Sequence, residues 1–340
     1  MDILIKSYNR PYYLDRCLFS IEKYVQNNTG DIVVLDDGTP QVYLDKIQEK
    51  YPFVIIKKSE FYNEKIQYTA SGKRPEIYKI PIEFWLKSAS DASDNFILIE
   101  DDTWFVSAIN LNAIAEEITL NNVAMTKLYW IGNPIINQNK QEVNLENIVL
   151  LKPRLLTTFP AIYNFVFYKF DKFKIRKTLR LLKIHTEKKH LAYYTIYAVA
   201  GMIFNKDYFL SLWNNHQNKI DEGLQLYNAV KTFKNSKETL KYARLKNEIL
   251  KTGFISSATN EHKENFSGNV DMFYFNKILN DAWLSNSFDS IHSLPNDIKE
   301  EDVIDVLNAS KQNTSLIQNW INWRNYFKQK YIAIGCEIDY

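Results

Sequence analysis

The sequence predicts an α/β protein: a mostly parallel central sheet flanked by helices, followed by a helical C-terminal extension. Three observations carry this. Short apolar runs alternate with helix-like stretches over the first hundred residues, and each run ends in a polar turn. The region after Asn269 has helical periodicity with loops and no strand-like run. With 46% hydrophobic and 24% charged residues among 340, the chain has the balance of a folded protein with a sizeable core, which excludes disorder.

The elements follow in order. Residues 3–5 form a first strand leading to Ser7-Tyr8-Asn9-Arg10-Pro11, after which Leu14, Leu18, Ile21 and Val25 recur at helical spacing. Residues 31–35 form a second strand ending in Asp36-Asp37-Gly38-Thr39-Pro40, with Pro40 suited to the first turn of a helix. Residues 53–56 make a third strand, residues 75–90 a helix, and residues 95–99 a fourth strand ending in Glu100-Asp101-Asp102. Further on, residues 123–130 and 198–204 read as strands and residues 207–213 as a helix. The charged stretch 236–251 reads as strongly helical. In a parallel sheet ligands bind at the carboxyl ends of the strands, where the clusters around Asn9, Asp36 and Asp102 all fall.

The charges nearly cancel, 42 Lys and Arg against 40 Asp and Glu, which gives no global electrostatic reason to bind nucleic acid. Two cysteines, Cys17 and Cys336, are too few for a disulfide framework and lack zinc-site spacing. No signal-peptide core and no run of about 18 apolar residues is present, so a cytoplasmic protein is expected, soluble or peripheral at the inner face of a membrane. Residues 169–189 hold nine Lys and Arg against Asp171 and Glu187, with Ile175, Leu179 and Leu182 on one helical face. This stretch, 169–190, is the candidate for peripheral membrane contact, a helix packed on the body being the alternative.

Three carboxylates at the mouth of a sheet, Glu100, Asp101 and Asp102, repel one another and call for a cation; a divalent metal holding substrate phosphates is a natural occupant, a solvated turn the plain alternative. Asp36-Asp37-Gly38-Thr39 is by itself an ordinary capped turn. An aspartyl-phosphatase D-x-D-G-T is excluded because Leu35 stands where the nucleophile belongs. A dinucleotide-binding fold is disfavoured because the first strand leads into no glycine-rich turn.

Taken together, strands ending in Ser7-Tyr8-Asn9-Arg10-Pro11, Asp36-Asp37-Gly38-Thr39 and Glu100-Asp101-Asp102 resemble the donor half of GT-A nucleotide-sugar glycosyltransferases, especially the family 2 group. The Glu-Asp-Asp form is similar to that of the N-acetylglucosaminyltransferase I family, an inverting, manganese-using relative. The resemblance covers residues 1–110 well and 195–265 loosely. It implies that Ser7, Tyr8, Asn9, Arg10 and Asp36 hold the nucleotide base, with Asp37 as neighbour. It implies that Glu100 and Asp101 lie on the nucleotide side, with Asp102 as ligand of Mn²⁺ or Mg²⁺. Family members carry an N-x-G-x-x-x-A-R-N segment where this chain has Asn63 and Ser71-Gly72-Lys73-Arg74, so Lys73 and Arg74 become candidates for the diphosphate. Asp221 and Glu222 fall near the family's general base, and His262 where many relatives complete the metal shell. Both have plain alternatives, a helix N-terminus and a lone surface histidine.

The expectation is thus a metal-dependent, inverting glycosyltransferase moving a sugar from a nucleoside diphosphate, UDP by resemblance, to a glycan or lipid-linked glycan hydroxyl. Residues 1–110 would form the donor half, 111–268 the acceptor half and 269–340 the helical extension. A catalytically silent glycan-binding scaffold and a sugar-phosphate nucleotidyltransferase are the alternatives. The second lacks the basic glycine-rich loop it needs after its first strand.

Overall fold

Strand β1 (Asp2–Ser7) lies between β3 (Ile32–Asp36) and β5 (Asn95–Glu100), parallel to both, and β4 (Val54–Lys58) extends the parallel set beyond β3. These positions belong to a computed structural model that describes residues 1–76, 79–168, 181, 190–237, 239–258, 270–310 and 314–338. Alternation along each strand feeds two separate cores, one on each face of the sheet. Ile3, Ile5, Val34, Ile97 and Ile99 enter the first; Leu4, Val33, Leu35, Phe96 and Leu98 enter the second. Such double burial explains why these strands read as continuous apolar runs.

Beyond β5 the sheet becomes mixed. β11 (Met202–Asn205) is antiparallel to β5 and to β8 (Val123–Lys127); β12 (Lys241–Leu245) runs parallel to β8; β10 (Ile148–Pro153) and β9 (Asn139–Asn144) complete the edge antiparallel. The order is β4-β3-β1-β5-β11-β8-β12-β10-β9. Two small pairs sit apart from it, β2 (Val25–Gln26) with β7 (Ile109–Asn110) and β6 (Thr103–Phe105) with β13 (Leu250–Thr252).

Helix α1 (Pro11–Tyr24) begins at a proline, whose fixed φ suits the first turn, and is buried along most of its length. Helices α2 (Gln41–Lys50), α3 (Tyr62–Thr69), α4 (Ile82–Asp91), α5 (Leu111–Leu120) and the single turn α6 (Pro160–Tyr163) follow. Then come α7 (Lys206–Leu212) and α8 (Glu222–Asn235). The C-terminal helices α9 (Met272–Leu284), α10 (Glu300–Ala309) and α11 (Thr314–Ala333) send Trp283, Leu307, Trp320 and Trp323 into the first core beside Ile3 and Ile97. The extension therefore shares the core of the sheet.

Several expectations change. Residues 236–251 are not a helix: they hold β12 and β13, because Tyr242, Ala243 and Leu245 are buried between β8 and β10, and that pairing overrides the helix propensity of the intervening charges. The helix expected over 75–90 starts only at Ile82, after Pro81, and α3 forms in a stretch that looked merely polar. The strand expected over 198–204 shrinks to β11, since Gly201 takes φ +74° and a Cβ there would come within 2.2 Å of the Tyr129 ring. Residues 169–180, 182–189 and 262 lie outside the described residues, so the basic amphipathic stretch and His262 have no structural account. No described helix is long and apolar enough to cross a membrane.

Candidate functional site

The carboxyl ends of β1, β3 and β5 open into a cavity of about 320 Å³. Parallel pairing brings them level: Ser7 is in register with Asp36, and Lys6 with Glu100. The backbone then turns away from the sheet at the same height on each strand, so the three loops of the sequence motifs meet.

At the centre is Arg10, 4% exposed. Its guanidinium donates to the Asp101 carboxylate, to Asp102 Oδ2 at 2.8 Å and to the Ser256 carbonyl at 3.3 Å. Asp101 Oδ2 also accepts the Tyr8 backbone N–H at 3.1 Å, and Lys6 pairs with Glu100 at 2.9 Å. Burial alone would lower the pKa of Arg10, but Asp101 and Asp102 raise it well above its ordinary value, so it stays charged. Burial pushes Asp101 up to about 7 and Asp102 upward, against the pull of Arg10. Glu100 moves the other way: Lys6 holds it below the ordinary carboxylate value, and its side chain, 45% exposed, opens into the cavity.

The two adjacent acids after β3 diverge. Asp36 is fully buried: Oδ1 accepts the Gly38 and Thr39 backbone N–H groups at 3.0 and 2.8 Å, and Oδ2 the hydroxyls of Ser7 and Thr39 at 3.1 and 2.6 Å. Its oxygens hold the loop together and do not line the cavity. Asp37 does line it, accepting Ser59 Oγ at 2.5 Å and the ammonium of Lys65. Burial raises the Asp37 pKa to about 6, with Lys65 opposing, and lowers that of Lys65. Gly38, at φ +138°, lets Lys65 come this close, because a Cβ there would be 2.7 Å from that of Lys65.

Not every expected residue reaches the cavity. Asn9 is buried at φ +52°, its N–H donating to Thr39 Oγ1 and its carbonyl and side chain accepting Asn280 Nδ2, so it braces the first loop. Lys73 and Arg74 are exposed and outside the lining, because the turn at Gly72 packs on Lys277 of α9. The cations beside the carboxylates are Lys6 and Arg10 instead. Asp221 caps α8, Oδ1 accepting the Leu224 N–H at 3.0 Å and Oδ2 the Tyr168 hydroxyl at 3.0 Å. Glu222 is the first helical residue, exposed and outside the cavity lining, and accepts the Tyr194 hydroxyl at 3.2 Å.

Sequence reasoning missed Lys6, Lys65, Trp85 and Tyr331. Lys6 gave a faint signal, a charge inside an apolar strand. The others stand on distant elements, and only the tertiary fold assembles them around the motifs.

The fit to a divalent cation follows from the donor set. Four carboxylates at the cavity, Asp37, Glu100, Asp101 and Asp102, face three cations, Lys6, Arg10 and Lys65, so the formal balance is negative. Among the described residues no three His, Cys, Asp or Glu side chains converge as a metal cage. Asp102 and Glu100, which Arg10 and Lys6 hold at 2.8 and 2.9 Å, are the carboxylates that would hold a divalent cation at this cavity.

No family model matches the chain, and no curated protein matches its sequence. Among solved structures it is similar to S. aureus TarS residues 1–349 in complex with UDP-GlcNAc, at 13% identity, 97% of this chain, 91% of that chain and a TM-score of 0.38. Against a longer S. aureus TarS structure the identity is 12% over 90% of this chain, with a TM-score of 0.36. There it covers 42% of the other protein, less than half its length. A Mycobacterium tuberculosis glucosyl-3-phosphoglycerate synthase with Mn²⁺, UDP-glucose and phosphoglyceric acid matches at 16% identity, over 39% of this chain and 45% of that chain, with a TM-score of 0.26.

Proposed function

We propose that this chain is a nucleotide-sugar glycosyltransferase of the GT-A kind, transferring a sugar from a nucleoside diphosphate, UDP by resemblance, to a hydroxyl of a glycan or lipid-linked glycan. The observation that carries the reading is the convergence of Asp37, Arg10 and the Glu100-Asp101-Asp102 triple on one cavity at the carboxyl ends of three parallel strands.

Asp37, backed by Lys65, forms the base end of the cavity, whose lining also includes the rings of Tyr8 and Trp85. A carboxylate there accepts a ring N–H and the adjacent rings pack on the base. Glu100 and Asp101 face the ribose. Lys6 and Arg10 donate charge-assisted hydrogen bonds toward the diphosphate. Asp102 and Glu100 would hold a divalent ion, Mn²⁺ or Mg²⁺, which would neutralise the charge developing on the leaving group. Transfer with inversion needs a base on the side of the sugar away from the diphosphate. Glu222 suits this better than Asp221, whose two oxygens are committed to the α8 N-terminus and Tyr168. The proton of the acceptor hydroxyl passes to the Glu222 carboxylate as that oxygen attacks the anomeric carbon and the bond to the diphosphate breaks.

Calorimetry with UDP, with and without Mn²⁺, tests the reading first. UDP should bind, and more tightly with the metal; no UDP binding in either condition overturns it. A second reading, a nucleotide-sugar-binding protein without catalysis, draws on Arg10 holding Asp102 Oδ2. Release of UDP from UDP-sugars with Mn²⁺ separates the two: turnover supports the enzyme, and binding without turnover the silent protein.

A further inference from the structure

Trp130 has a backbone that a bulky residue seldom adopts. Its φ is +53°, in the left-handed region, where a side chain other than Gly, Asn or Asp is uncommon. Such a conformation lasts only where its surroundings over-determine it, and it tends to mark a place of function. Here the surroundings are explicit. Asn137 Nδ2 donates to the Trp130 carbonyl at 2.6 Å and to that of Ile131 at 3.0 Å, and Glu248 Oε2 accepts the Ile131 N–H at 3.1 Å. Behind them buried Lys127 donates to Asn137 Oδ1 at 2.6 Å and to the Ile136 carbonyl at 3.0 Å, fixing the amide that fixes the turn.

The consequence is an indole held at a boundary. Trp130 lines both the 320 Å³ cavity and a second cavity of about 370 Å³, as do Tyr129, Thr252 and Phe254. Its ring centroid is 6.0 Å from that of Tyr331. The second cavity adds Glu248, Lys251 and Glu337, charged groups that hydrogen-bond to hydroxyls. An aromatic face beside carboxylate and ammonium groups, in a space of this size, matches a pyranose ring, whose C–H face is apolar and whose rim is hydroxyls.

Building on the glycosyltransferase reading, we infer that the second cavity is a saccharide subsite with Trp130 as its platform, holding the sugar next to the reacting unit of a glycan acceptor. The reacting unit lies in the first cavity at the Tyr331 end, and the adjoining unit stacks on the far side of the indole.

The test uses the full chain and titrates cellobiose, maltose and N,N′-diacetylchitobiose, each against its monosaccharide, by calorimetry, with UDP in parallel. Trp130→Gly removes the ring while suiting the positive φ, and Trp130→Phe keeps an aromatic face. At least one disaccharide should bind the wild type more tightly than its monosaccharide, lose about tenfold or more in affinity in Trp130→Gly and recover in part in Trp130→Phe. UDP affinity should stay within about twofold, because the donor contacts proposed above, Asp37, Lys6, Arg10 and the Glu100-Asp101-Asp102 triple, do not include Trp130. Absence of disaccharide binding, or equal binding by wild type and Trp130→Gly, overturns the subsite. UDP binding without any disaccharide binding rejects this inference alone; Trp130-dependent disaccharide binding without UDP binding rejects the donor reading and keeps the subsite.

Discussion

Asp36 holds four donors on two oxygens, whereas Asp37 holds one hydroxyl and one ammonium at a cavity wall. Removing the carboxylate at each position therefore has different outcomes. Asp36→Ala leaves two hydroxyls and two backbone N–H groups without their acceptor in a buried loop and should cost about 3 kcal/mol or more, read by urea denaturation. Asp37→Asn should leave the fold in place and weaken UDP by about tenfold or more, since a hydrogen bond to a charged group contributes about 1.5 to 3 kcal/mol. Lowering the pH through 6 should weaken UDP in the wild type by the same route, because the Asp37 carboxyl, raised to about 6, takes up a proton there; a flat UDP affinity between pH 7.5 and 5 would reject that role. The sign for stability is opposite. The native state keeps this proton up to a higher pH than the unfolded chain, whose carboxyl titrates near 4, so the contribution of Asp37 falls as pH rises between about 4 and 6. The sequence located Arg10 and the triple acid because each directly follows an apolar strand, but of the two acids after β3 it favoured Asp36, whose oxygens hold the loop and do not line the cavity. It could not tell which of two adjacent acids faces the cavity, as that depends on the turn at Gly38, nor that Lys65, more than twenty residues on, would meet one of them.

At the level of elements, parallel β1, β3 and β5 were legible because burial on both faces leaves uninterrupted apolar runs, while edge strand β4 was legible from a short apolar run although Ile55 is exposed. Strands β12 and β13 were not, since Lys, Arg, Glu and Leu between residues 236 and 251 satisfy helix propensity, and only pairing with β8, β10 and β6 makes them extended. β8 carries a related hidden feature at its end, where Lys127 is 1% exposed and burial lowers its pKa to about 7. A neutral amine can still donate to Asn137 and Ile136. Between about pH 7 and 10.4 the unfolded chain binds the proton that the native state has released, so stability should rise with pH across that window. Lys127→Met keeps the stem and removes the titrating group. Denaturation midpoints at pH 7 and 9.5 should differ more in the wild type than in the variant; equal differences would mean that Lys127 is charged in the folded protein.

Across the whole molecule, the cavity is walled by residues from Lys6 to Tyr331 and the C-terminal helices are structural partners of the sheet. Trp320, fully buried, donates from its indole N–H to the Ile255 carbonyl at 2.8 Å, one residue before Ser256, whose own carbonyl receives Arg10. Trp320→Ala should destabilise by about 3 to 5 kcal/mol. It should also loosen UDP binding in proportion to the unfolded population; full stability in the variant would show that α11 is dispensable. The pairing of β5 with β11 joins residues 95–98 to residues 202–205, and Arg10 waits for a carbonyl at position 256. A chain emerging from the ribosome therefore carries β5 with one open edge for about a hundred further residues, and Arg10 lacks its carbonyl acceptor until Ser256 is made. Nascent chains halted at residue 150 should be cut readily by protease and held by chaperones, while those long enough to release residue 338 should resist.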